Sequence, residues 1–385
     1  MGNTFGHSVL LLVSTDLTYD QRMAKIAHAL GSAGYEVTLL GRRLRASVAL
    51  RQDALQYRQR RINCIFEKGV LFYLEFQLRL LFLVLTTKAD IVSAADIDTL
   101  PGAMMGHWLV SLFRRQRIVL DAHEIFSQQE EVVSRPMVHR LWHLAERFFI
   151  PHVDAAYTVS GGVARWYQAL TKVPFEVVRN LPERSGLQPI STYHPDQEHA
   201  MRPLRFVPYL LYVGAVNRNR GLEHVIASMP NHKFNLVICG DGPDQQDLRR
   251  LSDQLQVSNR VFFEGYVEPD RLREYYQNAY LGLLLLDGQG LNYQYSLANK
   301  FFDYMMHGLP QLLSPLPEYQ EILSTYPFAY LCTPEPKAIA EAIRHLQIEP
   351  EVYNRLKEAC AAAKDQYHWQ REQDKLVQIY RDLSL

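Results

Sequence analysis

Ser296, Lys300, Asp303 and His307 recur at i, i+4, i+7 and i+11 in the run Ser-Leu-Ala-Asn-Lys-Phe-Phe-Asp-Tyr-Met-Met-His-Gly. At helical spacing they form one polar stripe, while Phe301, Phe302, Met305 and Met306 fall on other faces and can be buried. Ser296 reads as the N-cap and Gly308 as the stop. A helix apolar enough for a core, yet carrying a cation and a carboxylate on one line, suits a nucleotide sugar. The lysine can meet phosphate and the aspartate can accept ribose hydroxyls. The bland alternative is a Lys300–Asp303 pair at i,i+3, worth only about 0.2–0.5 kcal/mol.

Two loops carry related chemistry. The apolar run Tyr209 to Val213 is followed by Gly214 and by Asn217-Arg218-Asn219-Arg220-Gly221. A glycine lets backbone approach a ligand, and Arg218 and Arg220 offer forked donors to a diphosphate. After Cys239 comes Gly240-Asp241-Gly242-Pro243. Pro243 fits a first helical position, ahead of a helix Asp244 to Leu255 whose start favours anions. Both loops also read as ordinary surface turns.

The first half has its own candidates. The run Ile118 to Leu120 ends in Asp121-Ala122-His123-Glu124, and Asp96 and Asp98 follow Ile91 to Ser93. Asp16, Asp20 and Arg22 bracket the loop after the first apolar run. That loop holds no glycine, so it is no dinucleotide fingerprint, which disfavours a nicotinamide or flavin enzyme.

These residues gain meaning from the elements that present them. Val9 to Val13, Glu36 to Leu40, Ile91 to Ser93, Ile118 to Leu120 and Ala155 to Val159 read as strands, with a helix over Gln21 to Gly34. From about Glu183 to Pro208 the pattern lapses into prolines and mixed charge. It restarts with Tyr209 to Val213, Phe234 to Cys239, Arg260 to Phe263, Leu281 to Leu286, Gln311 to Leu313 and Ala329 to Leu331. Strand–helix alternation implies parallel sheets covered on both faces. Ligands of such sheets bind at the carboxyl ends of the strands, where every candidate loop lies.

With 385 residues, two such domains are the natural division. Lys+Arg and Asp+Glu both number 41, which disfavours a general nucleic-acid binder. The charge is uneven: 22 Lys+Arg face 17 Asp+Glu through residue 190, leaving 19 against 24 in the remainder. Arginines cluster at 42, 43 and 45, at 51, 58, 60 and 61, and at 114, 115 and 117. They read as a solvated surface, or as an attraction for anionic headgroups or a pyrophosphate-bearing acceptor. The apolar stretch Leu71 to Leu85, broken by Glu75, Gln77 and Arg79, reads as a core helix, with an apolar surface face as the alternative. Cys64, Cys239, Cys332 and Cys360 form no CxxC pair, which fits a reducing compartment. No secretory leader is evident, so the expected location is cytoplasmic, with peripheral contact at the inner membrane face as the membrane reading.

In order along the chain, these motifs resemble those of the GT-B glycosyltransferases of family 4, the group 1 set. Asp20-Gln21-Arg22 with Gly34 to Thr38 is similar to the family's opening. Ile118 to Glu124 is similar to its VxDxHE strand, and Asn180-Leu181-Pro182 to its NxP. Val213-Gly214 through Arg220-Gly221 resembles VGxxxxxKG, Gly240 to Pro243 resembles GxGP, and Asn299 to Pro310 resembles NKxxEYMAxGxP. Trp369 to Tyr380 resembles the last helix, which crosses back to the first domain.

The resemblance implies an α/β protein of two Rossmann-like, doubly wound parallel-sheet domains facing a cleft. They would span 1–182 (acceptor side) and 208–363 (nucleotide sugar), with a linker over 183–207 and a returning helix over 364–385. It implies a retaining transferase acting from a nucleotide-diphosphate sugar onto a saccharide or lipid-linked acceptor, in polysaccharide or glycolipid synthesis, without metal or other cofactor. Arg220 stands at the family's phosphate-binding lysine, Asp303 at its ribose-binding glutamate and His123 at its hexose-contacting histidine. With Lys300 they form the expected catalytic set. Gly214, Arg218, Gly240, Gly242, Asn292, Ser296 and Asn299 fall on the donor side. Asp16, Asp20, Arg22, Asp98 and Glu124 fall on the acceptor side. Ala215 stands where the family has an arginine, and Tyr295 where it often has a first glutamate. Tyr295 is the feature that keeps a non-catalytic partner subunit as an alternative, beside a nucleotide-sugar 2-epimerase.

Overall fold

The computed structural model describes residues 6–18, 20–45, 47–50, 56–184 and 207–384. The chain divides into two compact units, Met1–Asn180 with Arg371–Leu385, and Leu181–Gln370. Residues 185–206 of the expected linker lie outside the described residues.

Among the described residues, the first unit carries a seven-stranded parallel sheet in the order β3-β2-β1-β4-β5-β6-β7. Its strands are β1 (Ser8–Leu12), β2 (Glu36–Arg43), β3 (Arg58–Asn63), β4 (Ile91–Ala95), β5 (Arg117–Ala122), β6 (Ala155–Thr158) and β7 (Glu176–Val177). The central strands are apolar on both faces because helices cover both; Val9 to Leu12 and Ile118 to Leu120 are all but fully buried. Strand β3 has no such signal. Its sequence Arg-Gln-Arg-Arg-Ile-Asn sits at the sheet edge, where only Ile62 is buried. Arginines 58, 60 and 61, read from sequence as a charge cluster, are therefore strand residues. Edge strands tolerate charge because one side faces solvent.

Among its described residues the second unit carries a six-stranded parallel sheet in the order β10-β9-β8-β11-β12-β13. The strands are β8 (Tyr209–Val213), β9 (Asn235–Cys239), β10 (Val261–Gly265), β11 (Ala279–Leu284), β12 (Gln311–Leu313) and β13 (Ala329–Leu331). In both sheets the strand order reverses beside the first strand of the unit, at β1/β4 and at β8/β11. Loops diverge there and leave a crevice.

The last helix, Trp369–Leu383, packs its later part into the first unit. Tyr380 is fully buried, with its ring 6.3 Å from Tyr35 and 6.5 Å from Tyr157. Glu372 accepts the Arg179 backbone N–H at 2.8 Å.

The helix Gly69–Thr86 departs from a core helix. Phe72, Phe76, Leu80 and Val84 form its buried stripe. Leu71, Leu74, Leu78, Phe82 and Leu85 remain 41–65% exposed. By length and composition it could cross a membrane, and 22% of that window is buried.

Candidate functional site

In the second unit the site is assembled at the ends of β8, β9 and β11. Gly214 leaves β8 at φ +135°, and its N–H donates to the Cys239 carbonyl at 2.9 Å. Gly240 leaves β9 at φ +150°, and a Cβ there would lie 1.9 Å from the Gly214 carbonyl oxygen. Only glycine allows the two turns to pack so closely. Gly242 is likewise required by packing, since its missing Cβ would meet the Val216 carbonyl at 2.1 Å.

Beyond Gly214 the chain loops through Asn219, at φ +61°, to Gly221 at φ +70°. Here the two arginines separate. Arg218 is 88% exposed and lies 4.0 Å from Asp244. Arg220 is half-buried, and among the described residues its buried Nε has no hydrogen-bond partner.

The helix Asn299–Met306 supplies the other cation. Phe301, Phe302, Met305 and Met306 anchor it in the core. Tyr304 sets its position against the sheet: the Val213 N–H donates to Tyr304 Oη at 3.1 Å, and Oη donates to the Leu211 carbonyl at 3.2 Å. Gln311 on β12 donates to the Phe301 carbonyl at 2.8 Å. Lys300 is thereby held over the Tyr212 ring, its Nζ 4.8 Å from the centroid. Burial, with Arg220 nearby and Asp303 only partly compensating, lowers Lys300 to about 7. Lys300 makes no ion pair among the described residues.

Two sequence expectations change. Ser296 does not cap this helix; Ala298 does, and Ser296 instead hydrogen-bonds the buried Tyr319. The polar stripe thus shortens to Lys300 and Asp303, with His307 at the C-cap, where Nδ1 bonds the Asp303 carbonyl oxygen at 2.8 Å. The His307 ring stacks on Tyr276 at 4.5 Å, and burial lowers its pKa. Pro243 lies in a turn rather than at the first helical position, because the helix begins at Gln245. Asn299 opens the Lys300 helix, and Asn292 lies on the short helix Leu291–Gln294, which Tyr295 caps. Gly288, where a Cβ would fall 2.5 Å from the Tyr293 ring, lets that ring lie against its backbone.

A group of potential metal ligands lies near this loop. Glu223, His224 and Asp287 bring ligand atoms within 4.8 Å of one another. His224 Nε2 already lies 3.0 Å from Asp287 Oδ2, so the cluster is explained as a hydrogen-bonded pair.

In the first unit a charged cluster forms at the ends of β4 and β5. Asp121 is fully buried and takes a two-point hydrogen bond from Arg22, at 2.7 and 3.3 Å. Arg22 also donates to the Val178 carbonyl at 3.1 Å. His123 Nε2 lies 3.1 Å from Asp121 and Nδ1 lies 3.4 Å from Asp96. Asp96 holds φ +61° and accepts the His123 backbone N–H at 2.7 Å. Against burial, which opposes charge, Asp96 and Asp121 raise His123 to about 9. Against the same penalty, Arg22 and His123 lower Asp121 to about 2. His123 is therefore an imidazolium near neutral pH. Glu124 goes the other way: burial and Asp96 raise it to about 7.

The remaining first-unit candidates divide by role. Asp20 caps the helix Gln21–Ser32 through the Met23 N–H. Asp16 pairs with Arg61 at 2.7 Å and bonds Thr18 and Ser47; these contacts, against burial, lower its pKa. Asp98 is buried with Oδ1 unpartnered among the described residues, and burial raises it to about 6. Arg61, Asp96 and Asp121 were not singled out for these contacts from sequence. Their partners are 45, 27 and 99 residues away along the chain.

Residues 205–362 match the family model for glycosyl transferases group 1, and residues 21–182 match that for Glycosyltransferase Family 4. The alpha-monoglucosyldiacylglycerol synthase of Streptococcus pneumoniae is 28% identical over 27% of this chain and 25% of its own length. The O-antigen chain mannosyltransferase C of Escherichia coli is 25% identical over 44% of this chain and 48% of its own. The chain spans less than half the length of the curated relatives it matches. Among solved structures, HepE of Anabaena in complex with UDP and glucose superposes with a TM-score of 0.75 at 13% identity, covering 98% of this chain and 100% of that one.

Proposed function

The chain belongs to the group 1, family 4 glycosyltransferases of the GT-B fold, and from that premise we propose that it moves a sugar from a nucleotide-diphosphate sugar to an acceptor with retention of anomeric configuration. The observation that carries this reading is the pair Arg220 and Lys300. Both cations are half-buried, their charges repel, and neither has an ion-pair partner among the described residues. Two such cations are costly unless an anion joins them. A pyrophosphate supplies that anion, and Arg220 can meet it through a fork.

As the glycosidic bond breaks, charge grows on the leaving phosphate. Fixed cations at that point stabilise the transition state more than the ground state. In this reading they do so without a metal ion. Asp303, one helical turn beyond Lys300, accepts the ribose hydroxyls. Retention proceeds on one face of the sugar, the departing phosphate taking the acceptor's proton. On the first unit, the imidazolium of His123 keeps Nε2 on Asp121 and offers Nδ1–H, 3.4 Å from Asp96, to a saccharide hydroxyl, and Glu124, neutral or charged near pH 7, orients the acceptor.

The relatives support a saccharide or lipid-linked acceptor, in polysaccharide or glycolipid synthesis, since one is named for a glycolipid and another for an O-antigen chain. In this reading the enzyme acts in the cytoplasm, and a lipid-linked acceptor would bring it to the inner face of a membrane. The solved relative with UDP supports a uridine donor as the first to try. The test is a thermal-shift screen of UDP, GDP, ADP and CMP on the wild type, Arg220→Ala and Asp303→Ala. At about 100 times its dissociation constant a ligand stabilises by roughly 2.7 kcal/mol. One nucleotide should shift the wild type and shift both variants clearly less; no shift of the wild type with any nucleotide overturns the reading.

A further inference from the structure

The helix Gly69–Thr86 has two apolar stripes, and the fold uses one. Phe72, Phe76, Leu80 and Val84 are buried, and the helix packs against the helix Leu100–Ser111. Gly102 and Gly106 allow that contact, since Cβ atoms there would meet Gln77 and Val84 at 2.5 and 2.7 Å. Leu74, Leu78 and Phe82, flanked by Leu71 and Leu85, form the second stripe, and it faces out. The adjoining helix is followed by Leu112 and Phe113, 73% and 89% exposed. A surface helix ordinarily puts polar residues on its outer face.

Arginines surround this stripe. Beside it, Arg60, Arg61, Arg79 and Glu75 line a groove of about 510 Å³ with Ile65, Leu78 and Phe82; Arg61 pairs with Asp16 and Arg79 with Glu75, which leaves Arg60 as the groove arginine without an ion pair among the described residues. At the helix start Arg42 lies 3.9 Å above the Phe72 ring, and Arg45 pairs with Glu67. At its end Arg114 donates to the Thr87 and Ala89 carbonyls, followed by exposed Arg115. Arg43, Arg58, Arg60 and Arg115 make no ion pair among the described residues, so their charge is uncompensated.

We propose that this face docks on a bilayer carrying anionic phospholipid headgroups. The outer leucines and Phe82 enter the interface with the helix lying in its plane, and the arginines meet lipid phosphates at the sides. Charge complementarity selects this occupant: an apolar stripe alone would suit a second copy, but the free arginines around it would repel their own counterparts. Apolar insertion and basic flanks together give the two signals that stable peripheral binding needs. The proposal deepens the acceptor reading by naming the surface that brings a lipid-linked acceptor within reach, but docking itself does not depend on transfer.

Flotation of the full chain with phosphatidylcholine vesicles, with and without phosphatidylglycerol, tests it. Binding should require the anionic lipid and weaken as salt rises. The change Leu78→Asp with Phe82→Asp should abolish it. Arg58→Glu with Arg60→Glu should lower it about tenfold or more, from roughly fivefold per arginine. These side chains are exposed, so both variants should keep the wild-type melting temperature and nucleotide-induced shift. That shift separates failure of docking from failure of the transfer reading. Absence of flotation, unchanged flotation by the variants, or a concentration-dependent dimer in light scattering that Leu78→Asp dissolves would each overturn the proposal.

Discussion

The Lys300 ammonium occupies the space that a side chain on Gly214 would need: a Cβ there would lie 2.1 Å from Nζ. The two residues are 86 positions apart, yet each is intelligible only through the other. Gly214 is the floor on which a half-buried cation rests, at a backbone angle that side chains rarely adopt.

Gly214→Ala should therefore displace Lys300. Strain at φ +135° predicts a stability loss of about 1 kcal/mol or more. Nucleotide affinity should fall by more than the stability change alone predicts. Calorimetric titration with the nucleotide chosen by the thermal-shift screen measures this, and unchanged affinity would count against the Lys300 site.

Lys300 also predicts a proton linkage. Its folded value, about 7, lies below the unfolded value of 10.5, so the unfolded state holds more protons between those limits. Its unfavourable contribution is full below about pH 7 and is relieved as pH rises toward 10.5. An anion would restore the charged form, so nucleotide binding near pH 8 should take up a proton. Binding enthalpies in buffers of different ionisation heat would reveal it. Lys300→Met should cancel the uptake while leaving the empty protein as stable or more so.

The arginine loop offers a contrast. Arg218→Ala should leave nucleotide binding within about twofold, as expected of an exposed, screened charge. Arg220→Ala should lose at least about tenfold, the scale of one charged hydrogen bond of roughly 1.5–3 kcal/mol. Equal effects would mean that half-burial of Arg220 is irrelevant to the ligand.

In the first unit, Arg22→Leu strands a buried Asp121. Breaking such a pair costs about 3–5 kcal/mol, readable as a lower urea midpoint at pH 7. His123 has its folded value raised to about 9, so its contribution is full below about pH 6.5 and is lost as pH rises through 9. The stability gap between wild type and His123→Gln should narrow over that window; a constant gap would show that His123 is not charged there.

Much of this was legible in the chain itself. Continuous apolar runs such as Val9 to Leu12 and Leu281 to Leu284 declare buried parallel strands, since both faces of such strands meet helices. Glycines at strand ends and the Lys300–Asp303 spacing marked the loops where chemistry gathers. Strand β3 was not legible, because an edge strand with one buried residue has no hydrophobic period to read. The outward stripe of Gly69–Thr86 was legible only as the alternative to a core helix: composition registers leucine but not which side of a helix finds a partner.

Local pattern therefore determined the element types, the parallel sheets and the loops that carry the charged residues. Tertiary structure decided which charges are paired and which are left free. It joined Arg22 to Asp121 and set Asp96 against His123, while it left Arg220 and Lys300 without an ion-pair partner among the described residues. The physical reason is that a charge's state depends on burial and on neighbours brought from far along the chain. Neither is a property of the residues beside it in sequence.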